Sequence, residues 1–222
     1  MQVLVIENAP SAPAGLFGTW LRAAHGATLR LVTRETMPDV HGDEALIVTL
    51  GSPHGAYEDM PWIHRQRRFL QGAIAANRPV VGICFGAQII ATAIGGRAAP
   101  LGRRLAGWMD IAEVAHPVWQ GPWVRWHGDH LDVPDGTAVL ARDRGTVQAF
   151  HHGSAVGVQF HPEADAAIVR DWGSKTPDWL AENALDRATL DRHSTANVAP
   201  REAARHALFT EMLRRAGISP TP

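Results

Sequence analysis

The chain has 222 residues, 45% of them hydrophobic and 19% charged, with a formal net charge of −1. That length and composition suit one globular domain with a full core. The near-zero charge excludes the basic character of a protein that tracks a nucleic-acid backbone or an anionic membrane. The single cysteine allows no intrachain disulfide. The N-terminus, Met1-Gln2-Val3-Leu4-Val5-Ile6-Glu7, has no basic n-region, and its apolar run is too short for a signal peptide. No apolar stretch approaches the ~20 residues that cross a bilayer. A soluble, cytoplasmic protein is expected, without a membrane or nucleic-acid partner.

Val3–Ile6 reads as a short buried strand, and a helix follows over Ala14–His25, with Leu16, Phe17, Trp20, Leu21 and Ala24 on one stripe. Ala45–Leu50 is a second buried strand, stopped by Gly51-Ser52-Pro53. Pro61 opens a helix running to about Asn77, in the first-turn position that suits proline. Pro79–Ile83 is a third strand, and Phe85–Ile94 a helix closed by Gly95-Gly96. From about Arg104 to Phe160 the pattern changes to short β-like segments with turns at Asp135-Gly136 and Arg144-Gly145, which predicts antiparallel pairing. Helices return over Ala164–Trp172, Pro177–Ala184 and Pro200–Arg215. The expectation is an α/β fold in one domain over 1–222. It comprises a doubly wound, mostly parallel sheet with helices on both faces, a small antiparallel β segment, and a helical tail from about 164.

Two strings carry chemistry. Gly82-Ile83-Cys84-Phe85-Gly86-Ala87-Gln88 lies where a buried strand turns into a helix, the context of a nucleophile elbow. There the nucleophile occupies a strained backbone position, and glycines two residues to either side avoid collision. The turn presents the sulfur at the carboxyl end of the sheet, where ligands bind in open α/β folds. The helix N-terminus beside it favours a thiolate. Alone, the string fits a buried structural cysteine equally well. The second string, Val156–Glu163, ends a β-rich run in His161-Pro162-Glu163. In an extended segment positions i and i+2 share a side, so Glu163 can orient His161 as the base that a cysteine attack needs. The tetrahedral oxyanion then needs N–H donors. The amide of Phe85 is one; the turn after the second strand offers Ser52, or Gly51 in its place.

With these pieces in order, the sequence resembles the class I glutamine amidotransferases, most closely those related to the amidotransferase domain of GMP synthase. The resemblance covers Val3 to about Asp165. It rests on Gly82-x-Cys84-x-Gly86-x-Gln88, on Gln159-Phe160-His161-Pro162-Glu163, and on a block between them, Trp126-His127-Gly128-Asp129. It implies a flavodoxin-like architecture and a reaction in which Cys84 forms a γ-glutamyl thioester from glutamine and releases ammonia. His161 would move the protons and Glu163 orient it. Gln88 would help hold the glutamine, with His127, Gly128 and Asp129 at its α-amino and carboxylate ends. No cofactor or metal is implied. The family often carries Gly-Gly-Pro where this chain has Gly51-Ser52-Pro53. Serine presents its N–H equally unless the backbone there requires φ > 0.

Other readings remain open. No synthetase segment is legible, so an ammonia-supplying role requires a separate synthetase in trans. A γ-glutamyl peptidase or hydrolase acting alone uses the same acyl chemistry. A silent binding protein on the same fold predicts a damaged triad, whereas all three positions are filled. A dienelactone-hydrolase-like enzyme would place its acid before the histidine, not two residues after it. His127-x-x-His130 and His151-His152 lack the carboxylates or thiols that would complete a metal site. The Trp-rich segment Trp108–Trp126 reads first as core and second, with the helical tail, as a wall on the leaving-group side.

Overall fold

The computed structural model describes residues 1–219. Its central sheet has eight strands in the order β2-β1-β3-β4-β10-β9-β8-β6. These are β1 (Gln2–Glu7), β2 (Thr28–Thr33), β3 (Leu46–Thr49), β4 (Val80–Ile83), β6 (Glu113–Val114), β8 (Ala138–Asp143), β9 (Thr146–His152) and β10 (Ala155–Val158). β2, β1, β3, β4 and β10 are parallel, and β9, β8 and β6 continue the sheet antiparallel. β5 (Arg97–Met109) and β7 (Trp123–Asp132) form a separate antiparallel ribbon. The chain is thus the expected mostly parallel α/β sheet with an antiparallel portion.

The helices are α1 (Gly15–His25), α2 (Pro61–Ala75), α3 (Phe85–Ala93), α4 (Ala166–Lys175), α5 (Pro177–Glu182), α6 (Arg187–Asn197) and α7 (Glu202–Arg215). The parallel strands are buried on both faces, so alternate residues feed different cores. Val3, Val5, Val48, Val81 and Val156 pack with α1 and α7; Leu4, Ile6, Ile47, Val80 and Ala155 pack with α2 and α3. A third cluster joins α4, α5 and α6 to the β5–β7 ribbon through Ala106, Val124, Trp126, Val169, Trp172, Leu180 and Leu190.

Most predicted boundaries agree within two residues. The stop after α3 is a Schellman arrangement: Gly95 takes φ 93°, and the Gly96 N–H donates to the Ala91 carbonyl at 2.8 Å. Two elements lay outside the sequence expectation, β2 and α6. Trp119 and Trp123 are buried in the α1/α7 core, as the core reading of the Trp-rich segment expects, whereas Trp126 faces a pocket.

Candidate active site

Three neighbouring strands deliver the site. β3, β4 and β10 lie side by side, and their carboxyl ends carry Gly51-Ser52, Cys84 and, three residues beyond β10, His161. Cys84 sits at φ 55°, ψ −111°, an uncommon conformation for a side chain larger than glycine. Its N–H donates to the Val158 carbonyl at 2.8 Å, tying the turn to β10. The flanking glycines are obligatory here. A Cβ on Gly82 would lie 2.4 Å from the Gly86 carbonyl oxygen, and one on Gly86 would lie 2.0 Å from that of Thr49.

His161 and Glu163 come together with Nδ1 and Oε1 2.7 Å apart, both buried. The means differ from the sequence expectation. β10 stops at Val158, and the pair lies in a bridge and turn past it, not in extended strand. The reason is a change of partner: the His161 N–H donates to the Val124 carbonyl of β7 at 2.7 Å. The Glu163 carbonyl accepts from the Leu16 N–H at 2.8 Å, and a Cβ on Gly15 would approach that same oxygen to 2.3 Å. The start of α1 therefore fixes the Glu163 backbone. Burial alone lowers the His161 pKa; the Glu163 carboxylate and the Cys84 sulfur outweigh it and raise it to about 10. His161 Nε2 has no hydrogen-bond partner among the described residues and shares a pocket with the sulfur. The Gln159 side-chain amide reaches the Cys84 sulfur at 3.7 Å.

The pocket is about 270 Å³, lined by Cys84 and His161, by Gly51, Ser52 and Pro53, by His127, Gly128 and Asp129, and by residues of the tail. The Phe85 N–H is in the first turn of α3, where helix geometry gives it no intrahelical acceptor. The N–H groups of Gly51 and Ser52 donate to no acceptor among the described residues, and neither residue takes positive φ, so the serine fits without strain. The Ser52 hydroxyl accepts from the His54 N–H at 3.1 Å, which stiffens the turn. From below, the Asn8 amide donates to the Leu50 carbonyl at 2.8 Å.

At the polar end, His127, Gly128 and Asp129 line the pocket. The His127 Nδ1–H donates to the Asp129 carbonyl at 2.8 Å, and its Nε2 has no partner among the described residues. Burial pushes the His127 pKa down to about 3 against that hydrogen bond, so the ring is neutral at pH 7. Gln88 lies behind the wall, buried and not lining the pocket. Its oxygen accepts from the Ala56 N–H at 3.3 Å and its amide reaches Asp129 Oδ2 at 3.5 Å. The Tyr57 hydroxyl donates to Asp129 Oδ1 at 2.9 Å. Burial raises the Asp129 pKa and, with the Asp129 bond, pushes that of Tyr57 up to about 12. Among the described residues no group of three metal-ligating side chains occurs. His151 and His152 bond instead to the Gly153 carbonyl and the Thr137 hydroxyl.

The model of the family "Glutamine amidotransferase class-I" matches residues 26–168, more than half of the chain. The chain belongs to that family. A GMP synthase [glutamine-hydrolyzing] of Thermomicrobium roseum is 34% identical over 160 residues, 64% of this chain and 29% of that protein. A gamma-glutamyl-L-1-hydroxyisopropylamide hydrolase of a Pseudomonas species is 32% identical over 136 residues, 53% of this chain and 46% of that protein. The match thus spans under a third of the synthase and under half of the hydrolase. Among solved structures, a glutamine amidotransferase of Thermotoga maritima superposes with TM-score 0.82 at 23% identity, covering 97% of both chains. One of Methylobacillus flagellatus does so with TM-score 0.78 at 23% identity, covering 100% of this chain and 96% of that one. At that identity these two share the fold.

Several pocket residues escaped sequence reasoning. Ser11 and Ala12 reach the site from the loop before α1, Trp172 and Lys175 from α4, Trp179 from α5, and Thr176 from the junction between those two helices. Tyr57 meets Asp129 from 72 residues away. None has a local signature, because each contact joins distant parts of the chain. No helix among the described residues is long and apolar enough to cross a membrane.

Proposed function

We propose that this protein cleaves the γ-glutamyl C–N bond of glutamine or a close relative through a thioester on Cys84. The observation that carries the reading is a strained Cys84 elbow that shares one pocket with His161, whose ring is paired with the buried Glu163 behind it. The sulfur attacks the γ-carbonyl carbon while the N–H groups of Phe85 and of Ser52 or Gly51 receive the oxyanion. His161 passes a proton to the leaving nitrogen as the C–N bond breaks. Water then attacks the thioester, His161 takes its proton, and the C–S bond breaks to release glutamate, leaving the sulfur and the protonated His161 as they were before the attack. Glu163 holds the imidazole through Nδ1–H throughout. Asp129, kept in place by Tyr57 and Gln88, suits the substrate α-ammonium group, and the neutral His127 offers Nε2 as a further acceptor.

With glutamine as substrate the products are glutamate and ammonia, and a separate synthetase would consume the ammonia. This reading is supported by the GMP synthases among the relatives. A second reading, a γ-glutamyl hydrolase acting alone, is supported by the hydrolase relative and by a pocket that continues past His161. Cys84→Ala should lower turnover of either substrate class by on the order of 10⁴-fold or more. An electrophilic glutamine analogue should label Cys84, read by peptide mass spectrometry. Full activity in the variant, or labelling at another residue, would sink the mechanism.

A further inference from the structure

The lining of the pocket changes character on one side of His161. Toward β7's polar end stand His127, Gly128 and Asp129; toward the tail stand Trp126, Trp172, Trp179 and Thr176. The Trp172 ring meets that of His161 edge-on with centroids 4.6 Å apart. Trp172 and Trp179 then flank Trp126, at 5.7 Å and 6.4 Å between centroids.

These rings are fixed. The Trp172 indole N–H donates to the Ser11 carbonyl at 2.7 Å. Trp179 stacks on Trp126 within 11° of parallel, and Arg104 lies over a Trp179 face at 5.6 Å from the ring centre. Arg104 is itself held by Asp178 and Glu182. An aromatic surface held this firmly and left facing a pocket is a preorganised apolar site.

Position decides what occupies it. His161 must give its proton to the departing nitrogen, so the substituent on that nitrogen lies on the His161 side. The group bordering His161 on the tail side is Trp172. Ammonia carries no substituent and gains nothing from three indoles. Lys175, which also lines the pocket, is 59% exposed and pairs with Asp171 at 2.6 Å, so solvent screens its charge and it holds a leaving-group carboxylate only weakly.

Resting on the acyl chemistry proposed above, we propose that Trp126, Trp172 and Trp179 form a leaving-group subsite. It selects γ-glutamyl amides of amines that carry no further charged group and have an aromatic-sized apolar body.

The test compares kcat/KM for four substrates with the purified chain: glutamine, γ-glutamyl methylamide, γ-glutamyl 2-phenylethylamide and γ-glutamylphenylalanine. The phenylethylamide should exceed the methylamide by about tenfold or more, the discrimination typical of apolar pockets. It should also match or exceed γ-glutamylphenylalanine, which adds a carboxylate to the same ring. Trp179→Ala should lower the phenylethylamide-to-methylamide ratio by about tenfold, and Trp179→Phe should keep most of it. A ratio measured on one preparation does not depend on the folded fraction, so partial misfolding does not mimic the result. Equal rates on methylamide and phenylethylamide, a preference for the amino-acid conjugate, or an unchanged ratio in Trp179→Ala each overturn the subsite while the acyl chemistry stands. No turnover of any of the four overturns the acyl chemistry and the subsite with it.

Discussion

At the scale of single residues the site depends on the coupling of His161 to Glu163. A histidine with a folded-state pKa raised from 6.5 to about 10 gives stability that is complete below pH 6.5 and is lost as pH rises through 10. The native protein should therefore weaken steadily between pH 7 and 10, read from urea midpoints. Glu163→Gln removes the carboxylate that raises the pKa, so its stability should vary less over the same window. It should also lose activity on the order of 10³-fold, because the imidazole loses the partner that fixes its tautomer and stabilises its charge. Identical pH profiles for the two proteins would show that the pair does not hold the proton at neutral pH. His127 has the opposite character despite lining the same pocket. Burial without a carboxylate keeps it neutral, so the same pocket holds one histidine with a raised pKa and one with a lowered pKa, the contrast that the proposed roles of proton carrier and uncharged acceptor need.

At the scale of elements the elbow is set by backbone packing. Gly82→Ala and Gly86→Ala each drive a methyl group into a carbonyl oxygen, at 2.4 Å and 2.0 Å, and no side-chain rearrangement relieves a backbone clash. Each should destabilise by about 3 kcal/mol or more, or prevent folding. Gly72→Ala, exposed within α2 with nothing within 4 Å of its new methyl, should instead stabilise by about 0.5–1 kcal/mol. Thermal melts of the three variants check the contrast; equal effects would mean that the elbow relaxes freely. The same locality explains what the sequence made legible. β3 and β4 are unbroken buried runs, the helix stop is a glycine pair, and the elbow and the His-Pro-Glu string each lie within eight residues. β2 escaped because it is an edge strand with four exposed residues of six, which leaves no alternation to read. α6 escaped because it is polar nearly all round, burying only Leu190 and Ser194. Gln88 fits its motif but supports Asp129 from behind the wall, a distinction between lining and bracing that spacing does not carry.

At the scale of the whole molecule the tail is part of the fold although the family match ends at residue 168. α4 and α5 supply the aromatic wall of the pocket, and α7 closes one face of the sheet. Leu208, Phe209, Met212 and Leu213 of α7 are essentially fully buried, and Phe209 packs against Phe17 at 4.9 Å and Trp20 at 5.4 Å. Arg205 of α7 also binds the carbonyls of Asn197 and Val198 at 3.1 Å and 2.8 Å, which caps the end of α6. Each of those four apolar side chains contributes about 1.5–3 kcal/mol on burial. Together they approach the ~5–15 kcal/mol that separates a folded domain from its unfolded chain. Phe209→Ala should therefore cost about 3–5 kcal/mol. Deleting the chain from Glu202 onward should abolish cooperative folding, because it bares the α1 side of the sheet and uncaps α6 in one step. Circular dichroism melts and dye binding to exposed apolar surface would read both. A truncated chain that melts cooperatively near the full-length temperature would show that α7 is an appendage.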